Sequence, residues 1–359
     1  MKAPSLLSVQ HYVDYRRNLQ AALAERQVPE EKQTDILAYA DNLQQGEVPI
    51  IFDQPHLAAL FGYELDYVQI LSTCQQDFYK EYRIPKRNGK LRVIHEPMPN
   101  LKEIQTWILN NILLAPGVLR KVSPVAMAFM PQRSIIDNAI NHVGKQTVIC
   151  MDLKDFFSSV QYIQVYLLFK NLGYGKDVSG MLAHICTLNG VLPQGAPTSP
   201  MLSNLILSEA DESLLSYCTE RNIVYTRYAD DLTFSTDRRI DYGHLIGKVK
   251  VTLAKEKLEV NNEKTKIFHR NQSQNVTGIV VNEHLQVGKT YRKKIRQEMY
   301  YLQKYGLMEH YTHAGYPYSP QSYLNHLLGK VNHVLHVNSE DKEMISYKKK
   351  LKSMIYQRS

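Results

Sequence analysis

Apolar positions recur along this chain in two rhythms. In "NLKEIQTWILNNIL" (100–113), Leu101, Ile104, Ile108 and Ile112 fall three or four residues apart, which is one face of an α-helix. The same spacing at Tyr291, Ile295, Met299 and Leu302 predicts a helix over 289–306, and at least one more follows around 320–337. Leu202, Ile206, Ala210 and Leu214 give one apolar face to a helix that Ser199 would cap and Pro200 would open. "FDQPHLAALFG" offers Asp53 as an N-cap and Gly62 as a stop, "YELDYVQILSTCQQDF" reads as a second short helix, and residues 1–45 read as a helical arm. Other stretches are short and rich in β-branched and aromatic residues. "TVICM", ending at Asp152, reads as a buried strand, and "IVYTRY" and "LTFST" read as the arms of a hairpin with Asp230 and Asp231 at its tip. "YKEYRIPKRNGKLRVIHEP" (79–97) reads as another hairpin turning at Asn88-Gly89. There is no internal repeat and no low-complexity tract.

Composition narrows the class. At 359 residues and 44% apolar, the chain is long enough for two or three subdomains with a real core. No run approaches 18 apolar residues, so no membrane span is expected, and the N-terminus lacks the apolar core of a signal peptide. Cys74, Cys150, Cys186 and Cys218 are far apart with no CxxC pair, which argues against a zinc site or disulfide framework and makes a reducing cytoplasm the expected location. The net charge of +8 is unevenly placed: residues 284–359 hold 13 Lys or Arg against 5 Asp or Glu, while residues 1–283 hold 30 of each. A basic module on a neutral one points to a polyanion partner, the alternative being a solvated helical surface.

The chemistry resides in acids. Adjacent Asp230 and Asp231 repel each other, and an isolated pair in a turn is ordinarily just solvated. A third carboxylate in a matching setting, Asp152 at a strand end, changes the balance towards cation binding. Three such groups can hold two Mg2+ ions, which take oxygen ligands and can clamp both the attacking and the leaving oxygen of a phosphoryl transfer. Lys86, Arg87, Lys90 and Arg92 cluster near the tip of the 79–97 hairpin, where they either protect a strand edge or grip phosphates. Gln194-Gly195, in a Gly/Pro-rich loop, lets a flat ligand approach the backbone.

The order of the basic hairpin, "MDLKDFF", "LPQGAPTSP", "RYADD", "NNEKT" and "VTGIVVN" over 79–282 resembles that of reverse transcriptases, with "YADD" similar to their Tyr-x-Asp-Asp signature. "NAINH" (138–142) and "VTG" (276–278) resemble motifs of the bacterial retron reverse transcriptases, within the group II intron-like superfamily. The resemblance covers nearly all of the chain and is weakest over 1–50. It implies an α+β right-hand polymerase: an N-terminal helical extension and start of the fingers (1–78), a fingers–palm domain with antiparallel sheet and helices (79–283), and a basic helical thumb (284–359).

What the resemblance implies for residues is specific. Asp152, Asp230 and Asp231 would be the metal carboxylates, and Phe157 the aromatic that excludes a ribose 2′-hydroxyl. Gln194 would line the nucleotide pocket, Arg92 and Lys86 would hold the triphosphate, and Lys264 would protonate pyrophosphate. His142 and Thr277 would lie near the RNA; on the residues alone, His142 reads equally as a satisfied structural histidine and Thr277 as a strand residue beside a glycine bulge. Arg292, Lys293, Lys294 and Arg296 would face phosphates.

The activity implied is that of a retron RNA-directed DNA polymerase. It would bind a structured noncoding RNA, consume deoxynucleoside triphosphates and prime on an internal guanosine 2′-hydroxyl. The product would be multicopy single-stranded DNA branched from that RNA, made in antiphage defence alongside an effector protein. The competing readings are a reverse transcriptase of a mobile intron or diversity-generating element, and a non-catalytic RNA-binding scaffold. The "NAINH" and "VTG" pair counts against the former, and the three carboxylates against the latter.

Overall fold

The structure, a computed structural model, describes residues 9–85, 89, 91–317 and 319–356. It divides into two compact units that interleave along the chain. One comprises Met1–Met130, Asp152–Tyr217 and Asp241–Asn262, the other Pro131–Met151, Cys218–Ile240 and Glu263–Ser359.

The first unit is mainly helical. The N-terminal arm is a pair of helices, Val9–Glu25 and Glu30–Gln45, joined by an Arg16–Asp41 ion pair at 2.9 Å. Asp53 caps the Gln54–Phe61 helix by accepting from the His56 amide at 2.8 Å, and Gly62 ends it at φ +80°, as the sequence predicts. The Pro99–Ile108 helix runs on into a wider turn, Leu109–Leu113. Its stripe of Leu101, Ile104, Ile108 and Ile112 is at most 1% exposed and packs with Phe169, Tyr174, Leu182 and Leu202. Each such side chain contributes roughly 1.5–3 kcal/mol of burial, so this stripe anchors the unit.

The basic hairpin is an antiparallel ribbon of β1 (Tyr79–Pro85) and β2 (Leu91–Pro97), paired from Tyr79↔Pro97 to Pro85↔Leu91. Gly89 has φ +79°; Lys86, Arg87, Asn88 and Lys90 lie outside the described residues. One helix start differs from expectation. Thr198 takes the N-cap position of Ser199–Ile206, and the Ser199 hydroxyl instead donates to the Pro193 carbonyl at 2.8 Å. The helix also breaks at Leu207 before Ser208–Glu220, where the sequence predicts one continuous element.

The second unit contains most of a four-stranded sheet of order β4-β5-β3-β6, with β3 Thr147–Leu153, β4 Val224–Tyr228, β5 Asp231–Thr236 and β6 Val260–His269; the last two residues of β3 and the first three of β6 fall in the first unit. A smaller antiparallel sheet joins β7 (Asn275–Val276), β8 (Ile279–Val280) and β9 (Gln286–Val287). Helices Lys289–Tyr305, Leu307–Ala314, Pro320–Val337 and Lys342–Tyr356 follow. Val148 of β3, Val276 and Ile279 of the small sheet, and Ile295, Met299, Leu327 and Leu351 of the helices share one core. None of the described helices is long and apolar enough to cross a membrane.

Candidate active site

The β4–β5 hairpin is firmly set in the second unit. Both arms are mostly buried, and Tyr225 stacks on Phe234 across the strands at 4.7 Å. Aromatic cross-strand pairs of this kind stabilise a ribbon. Tyr228↔Asp231 is the last pair, which leaves Ala229 and Asp230 as the turn. Ala229 sits at φ +57°, a conformation that costs a residue with a Cβ. The fully buried Arg227 donates from its guanidinium to the Ala229 carbonyl at 3.3 Å. A cation is therefore fixed immediately behind the turn that bears the acids. Asp230 is half-buried and Asp231 is exposed.

Hard, accessible carboxylate oxygens suit Mg2+, which ordinarily takes one or two protein carboxylates and completes its shell with water and substrate phosphate. Among the described residues, no three His, Cys, Asp or Glu side chains gather into a self-sufficient metal cage. Asp152 is the half-buried penultimate residue of β3 and belongs to the first unit. In the second unit, Cys150 of β3 has its thiol pushed up to about 11, first by burial and then by the charge of Asp231. It stays protonated and is no nucleophile at neutral pH.

The structure settles the two readings of His142. Its ring is fully buried, with Nδ1 2.7 Å from the Ser235 hydroxyl and Nε2 2.7 Å from the Thr226 hydroxyl. Burial, with a smaller push from Lys145, lowers its pKa to about 3, so it is neutral. No ring atom remains for RNA, and the expectation of direct contact is corrected to a structural one. Thr277 is half-buried on the two-residue turn between β7 and β8, at φ +48°. A β-branched residue there is strained.

The basic helix also differs from expectation. Arg292 pairs with Asp341 at 2.8 Å and with Glu343 at 3.4 Å, and Arg296 pairs with Glu343 at 2.8 Å. Both guanidiniums thus pair with acids at the start of the Lys342–Tyr356 helix, Arg292 half-buried and Arg296 still exposed. Lys293 and Lys294 remain exposed. Lys264 is exposed on β6.

In the first unit, Phe157 is half-buried on a short helix, Phe156–Ser159, entered through Asp155 at φ +42°. Its ring packs against Phe156 at 5.1 Å and Phe129 at 6.3 Å. Phe129, an exposed aromatic at φ +62°, is a neighbour that no sequence pattern singled out. The Gln194 carbonyl accepts from the His95 amide of β2 at 2.8 Å, tying this loop to the basic ribbon. Gly195, at φ +130°, lies so close that a Cβ would stand 2.6 Å from the His95 carbonyl oxygen. The loop thus requires glycine both for its backbone angle and for its approach. Arg92 is exposed on β2, three residues before His95, and Lys86 lies outside the described residues.

The reverse transcriptase (RNA-dependent DNA polymerase) family matches residues 84–284. The chain is similar to the retron Ec86 reverse transcriptase of Escherichia coli, 33% identical over 277 residues, covering 76% of this chain and 81% of that one. It is also similar to the retron Ec83 reverse transcriptase of Escherichia coli, 34% identical with coverages of 64% and 77%. The retron Mx65 reverse transcriptase of Myxococcus xanthus is 38% identical, with coverages of 61% and 54%.

Proposed function

This chain belongs to the bacterial retron reverse transcriptases and is an RNA-directed DNA polymerase with the right-hand polymerase fold, and we propose that it copies a cognate structured noncoding RNA starting from an internal guanosine 2′-hydroxyl of that RNA. The observation that carries the reading is the adjacent pair Asp230–Asp231 at the tip of a hairpin whose arms are buried and whose turn is held by Arg227. Two accessible carboxylates held side by side suit a hard dication, and phosphoryl transfer is the chemistry that such an ion serves.

In this reading Asp152, Asp230 and Asp231 would hold two Mg2+ ions, which would lower the pKa of the attacking hydroxyl and neutralise the triphosphate and departing pyrophosphate. The protein supplies position. Arg92, with Lys86, holds the triphosphate, and Gln194, on its loop tied to β2, lines the nucleotide. Phe157 stands beneath the sugar and excludes a 2′-hydroxyl, and Lys264 delivers a proton to the leaving pyrophosphate. The hydroxyl adds to the α-phosphorus, a phosphodiester forms, and pyrophosphate leaves. Lys293 and Lys294 meet RNA phosphates, and the turn carrying Thr277 lies near the RNA. In the physiological setting we place this reaction in the cytoplasm, as part of antiphage defence with an effector protein. The residue ranges 1–78, 79–283 and 284–359 then correspond to extension, fingers–palm and thumb.

The test supplies the enzyme with the noncoding RNA encoded beside its gene, deoxynucleotides and Mg2+, but no DNA primer. DNA covalently joined to that RNA is expected. The junction should yield to a 2′,5′-debranching enzyme and should not form when the priming guanosine lacks its 2′-hydroxyl. Unlinked DNA, or equal synthesis on unrelated RNAs, would refute internal priming.

A further inference from the structure

Behind the Asp230–Asp231 hairpin runs a chain of buried polar side chains whose hydrogen bonds have one direction. The Thr226 hydroxyl donates to Asn138 Oδ1 at 2.6 Å. Its single proton is then used, so at the 2.7 Å contact with His142 Nε2 the threonine must accept and the ring must donate. That fixes the Nε2–H tautomer of the neutral ring and leaves Nδ1 as an acceptor for the Ser235 hydroxyl, 2.7 Å away. At the far end, Asn138 Nδ2 faces the Thr277 hydroxyl at 3.4 Å, the weakest link. Asn138, His142 and Ser235 are fully buried, and Thr226 is 2% exposed.

Thr226 lies on β4 and Ser235 on β5, so one imidazole ties both arms of the ribbon. The pairs Thr226↔Thr233, Tyr228↔Asp231 and Val224↔Ser235 share one face, because side chains alternate along a strand. His142 therefore backs the same face of the ribbon on which Asp231 emerges. Asn138 and His142 sit one turn apart, on the Ile135–Ala139 helix and the Ile140–His142 turn after it. A Ser134–Asp137 capping box fixes the start of that helix. The helix thus presents both groups to the hairpin from a fixed origin.

We propose that Asn138 and His142 are positioning residues for the reaction: with Thr226 and Ser235 they form a buried relay that sets where the Asp230–Asp231 tip stands. The inference rests on the reading that these aspartates are catalytic. It gives the "NAINH" segment a role in the rate of chemistry, separate from RNA contact. Packing without directional bonds would let the ribbon slide or twist by fractions of an ångström, whereas a catalytic constellation must hold to within about 0.5 Å.

The test is single-turnover addition of one deoxynucleotide to a paired primer–template, so that RNA recognition does not enter. Thr226→Val keeps the shape and removes both hydrogen bonds; Thr226→Ser restores them. The burst amplitude counts competent molecules, and the rate per competent molecule reports position. Thr226→Val is expected to lower the maximal rate about ten- to a hundredfold, with the half-saturating nucleotide concentration unchanged, and Thr226→Ser to recover most of it. Ser235→Ala, at the outer end, should give a smaller loss of the same kind and serves if Thr226→Val does not fold. A normal rate in both Thr226→Val and Ser235→Ala, or a loss wholly explained by fewer competent molecules, would overturn the proposal. Asp230→Asn in the same assay separates the two ideas: if it remains active, the catalytic reading itself fails.

Discussion

β1–β2 and β4–β5 are both antiparallel ribbons with charge near their tips, yet they are built in opposite ways. Along β1 every residue after Tyr79 is exposed, and Tyr82, Ile84, Leu91 and Val93 show apolar surface on both strands. Along β4 and β5 most side chains are buried, Arg227 among them, and the buried His142 ring meets the hydroxyls of Thr226 and Ser235. A ribbon with few buried contacts opens and shifts at low cost, while a ribbon sunk in a core does not. The difference fits two tasks. Holding a triphosphate that arrives and leaves calls for adaptable cations; holding two like charges at one point calls for rigidity.

Three predictions sharpen that contrast. The largest effect is expected on the first-unit side, at Phe157, where a ring acts by contact alone. Phe157→Ala should raise ribonucleotide use relative to deoxynucleotide use by about tenfold or more, read as the ratio of kcat/KM values. An unchanged ratio would make Phe157 a core residue only, in keeping with its packing on Phe156 and Phe129.

A smaller effect is expected from Gly195→Ala. The added carbon meets the His95 carbonyl oxygen at 2.6 Å and the backbone angle disfavours it, so the loop must move off β2. The strain amounts to roughly 1–3 kcal/mol. The KM for deoxynucleotide should rise with little change in kcat, since the hairpin proposed to do the chemistry lies in the other unit. A fall in kcat at unchanged KM would break the division of labour.

The smallest effect concerns pH. His142 is held neutral in the fold, with a pKa of about 3 against an ordinary 6.5. Below pH 6.5 the unfolded chain binds a proton that the folded chain refuses, so this group's contribution is complete above 6.5 and is lost as pH falls towards 3. His56 and His184 are lowered by burial too, so the His142 share is read by difference. His142→Gln should have a lower melting temperature at pH 7.5, and a shallower decline between pH 6.5 and 5, than the parent chain. Parallel declines would place the His142 pKa near its ordinary value.

Much of this was legible in the chain itself, for physical reasons. Helical stripes such as Leu101–Ile112 and Ile295–Leu302 are local patterns, and they are buried as read. The three aspartates stand out because an acidic pair in one turn is matched by a third acid at the end of a buried strand. Long-range partners were not legible. That Arg292 and Arg296 both pair with Glu343, some fifty residues on, is visible only in the fold. Thr226 and Ser235 carry no signal in the sequence; only the fold brings His142 onto them. His142 itself was open between structure and RNA contact, and only its burial decides. Ser199 misled because Thr198 beside it caps equally well on paper, while a carbonyl at Pro193 claims the serine hydroxyl.

The central claim is that the buried hairpin does the chemistry while the exposed ribbon holds the nucleotide. Single-turnover nucleotide addition by Asp230→Asn and Arg92→Ala, measured side by side over a range of deoxynucleotide concentrations, tests it most directly. Asp230→Asn keeps its shape and loses one charge; its maximal rate should fall by about 10²–10³-fold or more, the scale of losing one electrostatic stabiliser of the transition state, with primer–template affinity largely kept. Arg92→Ala should keep most of the maximal rate and need about tenfold more nucleotide to reach it, the equivalent of ~1.4 kcal/mol. A wild-type maximal rate for Asp230→Asn, or a collapse in maximal rate for Arg92→Ala with unchanged nucleotide affinity, would contradict the account.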